Sequence, residues 1–345
     1  MLSPDIGFAK LTDADAIMQF MHAHWRKGHI LSVSKALLLY EFQEAERLNF
    51  GIAKNAAGDL LGLFGFIKYN QLANPDIAGS LWKVTDAAQM QYPMLGLQLR
   101  NFVVKQVPHR FFAAPGAGLQ TKPIYQVLRM NWQRMSQWYW LNPDCPDYQL
   151  ADIKIPLPQS LAKPQTRQAD LTMEKISSVQ ALASFDFNAQ QTCVPFKDLE
   201  YIRHRFFDYP YYKYDVWVLK QAGEIKNIVA SRRATFQGHS AYRIVDFLGD
   251  EAFLPAIIQR LKQEVQEKGD EFLDFITHGI NEKILQASGL TNLDFADENL
   301  IIPNFFEPLV KKNVPVYCVS DQTALNFRQF KADGDQDRPN YTYYE

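Results

Sequence analysis

The strongest constraint on this chain is an order of elements that occurs twice. In the first half, Asp13 to Met21 places apolar residues at helical spacing behind Thr12 or Asp13 as a cap. Ser34 to Phe42 predicts a second helix. Phe50 to Ala53 and Leu60 to Ile67 flank the turn cluster Asn55 to Asp59 and predict a hairpin. Ser80 to Val84 reads as a strand, Leu95 to Val107 as a helix, Arg110 to Ala114 as a strand, Lys122 to Met130 as a helix and Gln137 to Leu141 as a strand. In the second half, Leu171 to Phe185 and Lys197 to Phe206 predict helices. Asp215 to Gln221 and Asn227 to Ala234 predict strands across the Gly223 turn, and Tyr242 to Leu248 another. Phe253 to Lys268 predicts a long amphipathic helix, Glu271 to Thr277 a strand, Asn281 to Ala287 a short helix and Val314 to Val319 a strand. The repeat is one of architecture, since the residues themselves barely match.

Between the copies, Pro143, Pro146, Pro156, Pro158 and Pro164 interrupt a stretch without helical period. Proline fixes φ and removes a donor, so this stretch reads as extended connection. The expected domains are therefore 1–150 and 160–345. A hydrophobic fraction of 47% against 21% charged residues excludes a disordered, collagenous or coiled-coil chain as a whole. The 36 basic and 38 acidic residues nearly cancel, which argues against nucleic acid as a general partner. Cys145, Cys193 and Cys318 are far apart, with neither metal-ligand spacing nor an even count for a disulfide framework. The N-terminus carries Asp5, Lys10, Asp13 and Asp15 without an apolar core for a secretory signal, and no apolar run approaches the ~20 residues of a membrane span. A soluble, cytoplasmic protein is the expectation.

Three strings carry a likeness. Gln91-Tyr92-Pro93-Met94-Leu95-Gly96 precedes the predicted helix from Leu95. Tyr125 stands on the helix after the next strand. Asn281 to Leu290 occupies the corresponding place in the second half. Together with the element order, they resemble the GNAT acyl-CoA N-acyltransferase superfamily, in tandem. The resemblance implies a mixed α/β (α+β) fold of two GNAT-like domains, each a mainly antiparallel central sheet flanked by helices. It implies acetyl-CoA or another acyl-CoA as co-substrate. Gln91, Leu95, Gly96 and Leu97 would lie at the pyrophosphate, where backbone N–H groups and the helix dipole favour an anion. Met94 stands where the family's first glycine would be, and Arg129 where a later one would be. By the same resemblance Tyr125 would protonate the departing thiolate. The second half has Leu285 in place of that tyrosine, and Asp250 and Glu251 where a pyrophosphate would be repelled. It resembles a degenerate copy. His24 to Ser32 and Phe330 to Asn340 also resemble GNAT-like proteins associated with bacterial surface-polysaccharide synthesis, which implies a sugar or nucleotide-sugar acceptor.

Other constellations read two ways. Asp333, Asp335 and Asp337, with Arg338 adjacent, fit a polar ligand or a solvated acidic turn. The EF-hand pattern fails, because Arg338 and Tyr344 occupy its Gly and Glu positions. His24 or His29 suits a general base, while a surface turn with Trp25 packed inward explains the same string. A metal site would need a further ligand there, and no metal is expected. Arg243, Asp246 and Asp274 sit in predicted central strands, where charges are costly unless paired. Asp246 and Asp274 facing each other across the sheet would make a ligand site or a buried polar network. Asn304 and Glu307 lie in an aromatic loop that suits either a sugar ring or core packing. The aromatic segment Phe206 to Trp217 reads as packing between the domains. The reading that follows is an acyl-CoA-dependent N- or O-acyltransferase acting on a sugar. A non-catalytic glycan- or protein-binding scaffold and a tRNA-dependent aminoacyl transferase are the alternatives, the last disfavoured by neutral charge.

Overall fold

The computed structural model describes residues 3–154, 170–321 and 326–339. Two compact units emerge: residues 1–115 with 338–345, and residues 116–337. In the first, β1 (Asp5–Lys10) leads into helices α1 (Ala14–His24) and α2 (Lys35–Phe42). Strands β2 (Arg47–Lys54), β3 (Leu60–Lys68) and β4 (Asp76–Val84) follow, then α3 (Leu95–Gln106) and β5 (Phe111–Pro115). The strand order is β1-β2-β3-β4-β5, antiparallel except for β4–β5, which is parallel. Helix α3 is a crossover between parallel neighbours, which is why β4 and β5 cannot be joined by a tight turn. Its Leu99 and Val103 are fully buried, as are Ile17, Leu37 and Phe42 on the other helices. The strand at Asp5–Lys10 falls in a stretch where the sequence pattern showed no element.

The second unit contains α4 (Lys122–Val127), β6 (Asn131–Arg134) and β7 (Ser136–Leu141). Then come β8 (Leu171–Ile176), β9 (Asp215–Gln221), β10 (Glu224–Phe236), β11 (His239–Gly249), α5 (Leu254–Lys268), β12 (Phe272–His278) and α6 (Glu282–Ala287). Strands β13 (Tyr317–Ser320) and β14 (Gln329–Phe330) complete it. The order β8-β9-β10-β11-β12 repeats that of the first sheet, again antiparallel with one parallel pair, β11–β12. Helix α5 buries Leu254, Ile257, Ile258, Leu261 and Val265 in a core with Trp138, Trp217 and Phe275. Each such side chain contributes roughly 1.5–3 kcal/mol.

Three expectations change. Leu171 to Phe185 is not a helix: Leu171 to Ile176 form β8, paired residue by residue with β9. Leu171 and Met173 pack on the core while Glu174 points to Lys220, a period of two rather than 3.6. Lys197 to Phe206 is helical only at Leu199–Ile202, followed by a wider turn over Arg203–Phe207. The compact units part after Pro115, not at 150–160, because β7 pairs antiparallel with β12 from Phe272↔Leu141 to Thr277↔Ser136. Of the connecting prolines, Pro156, Pro158 and Pro164 lie outside the described residues.

Candidate functional site

Each sheet forks. In the first unit β4 and β5 pair only at Asp76↔Phe111, Ile77↔Phe112 and Ala78↔Ala113. Beyond Ala78 the ladder with β5 stops. On its other edge β4 bulges there, with Ser80 and Leu81 together opposing Gly65 of β3. In the second unit β11 and β12 pair at Tyr242↔Leu273, Arg243↔Asp274 and Ile244↔Phe275, and Val245 is the bulged residue of β11. Bulges re-aim side chains and commonly mark sites. The same device therefore sits just past the fork in both copies.

In the first unit, Thr85 caps the short helix Asp86–Gln91, and Tyr92 to Met94 lead into α3. Leu95 N–H donates to Tyr92 O at 2.9 Å. The N–H groups of Gly96 and Leu97 have no intrahelical acceptor, as in any first helical turn. Leu95 is buried and Gly96 and Leu97 are half-buried, whereas Gln91 and Met94 are exposed. The indole of Trp82, on β4, donates to Gly96 O at 3.0 Å, and a Cβ on Gly96 would lie 3.2 Å from Trp82 Nε1. Glycine thus lets the helix start close against the forked strand. The end of α1 and the turn after it hold the histidines. His24 is exposed, with its ring 5.1 Å from that of Phe20. His29 is buried and edge-on to half-buried Trp25 at 4.6 Å. His29 Nδ1 accepts Leu31 N–H at 3.2 Å, so this ring caps the helical turn Ile30–Val33. Arg338 belongs to the same unit: its Nε donates to Glu41 Oε2 at 2.6 Å and its Nη2 to Ser80 Oγ at 3.0 Å.

The second unit fills its fork with its own side chains. Lys197 Nζ lies 2.7 Å from both oxygens of Asp246 and 2.6 Å from Asp333 Oδ1, all three groups buried. Burial pushes the Asp246 carboxyl up to about 7; Lys197 opposes this and Asp333 adds to it. Phe330 stacks on Phe275 at 5.7 Å, and β14 pairs with β12 at Thr277 and His278. A cavity of about 20 Å³ remains, lined in part by Lys197, Phe247, Arg328 and Phe330. The helix end here is also satisfied. Asp250 Oδ1 accepts Ala252 N–H, while Glu251 accepts from Arg328 Nη2 and Asn281 N–H. An anionic ligand does not fit that position.

The expected pairing of Asp246 with Asp274 is corrected by the register. Asp274 stands opposite Arg243, whose Nε reaches Asp274 Oδ1 at 2.8 Å, and Nη1 reaches Asn304 O at 2.7 Å. Gln137 adds a bond to Asp274 Oδ2 at 3.0 Å. Lys331, equally buried, donates to Asn304 O at 2.7 Å; burial and the nearby Arg243 hold its amine well below the ordinary lysine range. Asp337 accepts from Arg232 Nε at 2.7 Å, Tyr214 OH at 2.8 Å and Arg205 Nη2 at 3.2 Å. Burial works against its charge, but the two arginines hold it below the ordinary aspartate range. Neither Asp333 nor Asp337 is solvated, and Asp335 is half-buried. Glu307 Oε1 accepts from Tyr212 OH at 2.8 Å. The Tyr212 ring lies 4.0 Å from the Arg232 guanidinium, so part of the aromatic segment cages arginines. Tyr125 is buried on α4, 6.2 Å ring-to-ring from Trp132, in the second unit. Lys197, Arg205, Arg232 and Lys331, the cations that organise this half, were not singled out from sequence. Buried acids in central strands were the only signal that such partners must exist. Among the described residues no cluster of His, Cys, Asp and Glu could hold a metal, and no helix is long and apolar enough to cross a membrane.

Two sheets of mixed, mostly antiparallel strands flanked by helices, each forked at one parallel pair, give a mixed α/β fold of two tandem GNAT-like domains. No protein-family model and no curated protein matches the sequence. Solved structures do match the fold. A Pyrococcus horikoshii protein assigned as an acetyltransferase is 9% identical, with a TM-score of 0.52 over 95% of this chain and 92% of its own. A GCN5-related N-acetyltransferase from Anabaena variabilis is 9% identical, with a TM-score of 0.54 over 92% of this chain and 72% of its own. A GCN5-related glucosamine N-acetyltransferase region of a fungal multi-domain β-N-acetylglucosaminidase is 10% identical, with a TM-score of 0.55 over 93% of this chain. This chain spans 38% of that larger protein.

Proposed function

We propose that this protein is an acyl-CoA-dependent acyltransferase whose first copy holds the donor and whose acceptor is a sugar or nucleotide-linked sugar. One observation carries the reading. The first copy combines an open fork, a bulge beside it and an α3 start whose Gly96 and Leu97 N–H groups are not capped by carboxylates, whereas the second copy fills the same place with Lys197, Phe330 and Asp333. Donors at a helix start suit a pyrophosphate, and the free edge of β4 suits the amides of a pantetheine chain. Gln91 and Leu95 flank that position. His24 is assigned as the base, and the sequence resemblance alone assigns Tyr125, a residue of the second unit, as the acid for the leaving thiolate. His29 is demoted, since its Nδ1 already accepts a backbone bond. A neighbour of the same fold described as a glucosamine N-acetyltransferase region supports an amino-sugar acceptor, while surface-polysaccharide synthesis in the cytoplasm is the setting that the sequence resemblance suggests.

A binding-only protein is the second reading, and the filled fork of the second copy is the observation in its favour. Calorimetric and thermal-shift titration with acetyl-CoA separates the two. A working donor site at a hundredfold excess over Kd stabilises the protein by about 2.7 kcal/mol. No stabilisation at millimolar acetyl-CoA refutes the enzyme reading. Given binding, Tyr125→Phe should lower CoA release with glucosamine while leaving acetyl-CoA affinity intact.

A further inference from the structure

Ser80 is the residue of the first copy whose chemistry the fold has prepared without an evident structural need. It stands in β4 two positions past Ala78, the last residue paired with β5, and it is one of the two bulged residues. Its side chain is half-buried. Its Oγ accepts from Arg338 Nη2 at 3.0 Å, and among the described residues its hydroxyl hydrogen is given to no acceptor. Arg338 is fixed in turn: its Nε donates to Glu41 at 2.6 Å, its guanidinium lies 5.6 Å from the Phe42 ring centroid, and the side chains of Arg338 and Glu41 are only 6% and 11% exposed. A carboxylate, a guanidinium and a hydroxyl therefore form one chain of hydrogen bonds that ends at the bulge.

Such a chain has a direction. A guanidinium donating to a hydroxyl oxygen withdraws charge from it and strengthens the remaining O–H as a donor. A donor of that kind, just past the fork and held by a largely buried ion pair, is suited to an oxygen on which negative charge develops. We propose that Ser80 is a catalytic residue that donates its hydroxyl hydrogen bond to the thioester carbonyl oxygen, and that Arg338 and Glu41 are positioning residues that hold and polarise it. The inference rests on the acyl-CoA reading of the first copy. In the step, the acceptor's lone pair bonds to the carbonyl carbon while the carbonyl π pair moves onto oxygen, where Ser80 meets it. The pair on oxygen then re-forms the carbonyl as the carbon–sulfur bond breaks, that bond's pair leaves with sulfur, and the proton lost by the acceptor ends on that sulfur. Ser80 keeps its own proton throughout.

The test uses the full chain and acetyl-CoA labelled with carbon-13 at the carbonyl, read by isotope-edited infrared spectroscopy. Bound to the unaltered protein, the thioester carbonyl stretch should fall below its value in water. Ser80→Ala should return it toward that value with acetyl-CoA Kd unchanged. Ser80→Thr, which keeps the hydroxyl, should retain most of the shift, and Arg338→Lys should reduce it. Acetyl-CoA hydrolysis or transfer to glucosamine should drop by about 10²-fold in kcat for Ser80→Ala, the scale of one lost oxyanion donor. A merely structural role for Ser80 would alter stability but not the stretch. Binding with the same stretch in the Ala variant overturns the inference and leaves the acyl-CoA reading standing. Failure of the unaltered protein to bind acetyl-CoA overturns both. Should Ser80→Ala fail to fold, Ser80→Thr and Arg338→Lys decide: a full shift in both with unchanged kcat in Arg338→Lys refutes the assigned chain.

Discussion

Replacing Asp337 with asparagine, a side chain of nearly the same shape, should destabilise the second unit by removing the charge that two buried arginines share. The carboxylate accepts three side-chain hydrogen bonds, from Arg232, Arg205 and Tyr214, at 2.7 to 3.2 Å. It is fully buried, and Arg205 and Arg232 are nearly so. Two opposite charges about 4 Å apart attract by roughly 4 kcal/mol at an effective dielectric of ~20. The carboxylate has also been stripped of water, so that attraction is not net stabilisation. What the substitution exposes is two buried guanidiniums with no counter-charge, and breaking a buried pair in this way costs about 3–5 kcal/mol. For a unit of this size that corresponds to a fall in Tm of roughly 6–20 °C. Urea and thermal unfolding followed by circular dichroism at neutral pH measure it. Asp86→Asn is the control: it removes a salt bridge to Lys83 in which the carboxylate is 94% exposed, and no measurable change is expected. The sign with pH is also fixed. Asp337 has a depressed folded pKa, so its contribution is complete above the unfolded value of 3.8 and is lost only as pH falls through the lower folded value. A loss below about 1 kcal/mol in Asp337→Asn would refute the reasoning, because it would mean that the arginines find water or another anion.

Two further outcomes are expected. Gly116 has φ +69°, and a Cβ there would meet only the amide end of the Gln336 side chain, which can turn aside, so Gly116→Ala should cost the roughly 1–2 kcal/mol of a left-handed alanine. The cost should be nearly the same in a Gln336→Ala background in denaturant titrations, and a cost that vanishes there would show that the side-chain contact and not the backbone is responsible. Lys262 is half-buried against the Ser288 and Gly289 carbonyls, and burial pulls its pKa from 10.5 down to about 8. Between those values the unfolded chain binds the proton and the folded one does not, so this lysine makes stability rise with pH across that window. Comparison with Lys262→Met should show the rise reduced in the variant; identical slopes would refute the assignment.

What the sequence disclosed was local. The Asn55 to Asp59 cluster marked its hairpin because turn residues act within a few positions. The apolar stripe of Phe253 to Lys268 marked α5, because one helix face repeats at short spacing. Leu171 to Ile176 misled for the same reason: Leu171, Met173 and Ile176 suit either period over so short a span, and only Trp217 and Val229 of the finished sheet decide it. The candidate site was legible as residue types and not as partners. Asp246 was visible as an expensive charge in a strand, and Asp337 as part of an acidic string. Their companions were hidden, because Lys197 is 49 positions from Asp246 and Arg232 is 105 from Asp337. The bulge at Val245, which brings Asp246 onto the same face of the sheet as Arg243, leaves no mark in composition or spacing. Ser80 went unnoticed for the same reason, since a lone serine in a strand gains meaning only from Arg338.

The contacts of Arg338 set a schedule for synthesis. The first unit's remaining described residues end at Pro115, yet Glu41 and Ser80 wait for an arginine 223 positions later, by the difference of the two residue numbers. At roughly 5–20 residues per second, that interval is about 11–45 s on the ribosome. Strand β7 waits as well, since its partner β12 begins only at Phe272. During that time the Glu41 carboxylate lacks its guanidinium and β7 carries an unpaired edge, open to the wrong partner. A chain cut within the proline-rich stretch would keep both defects permanently, so expressing the two halves apart should yield aggregation rather than two soluble domains.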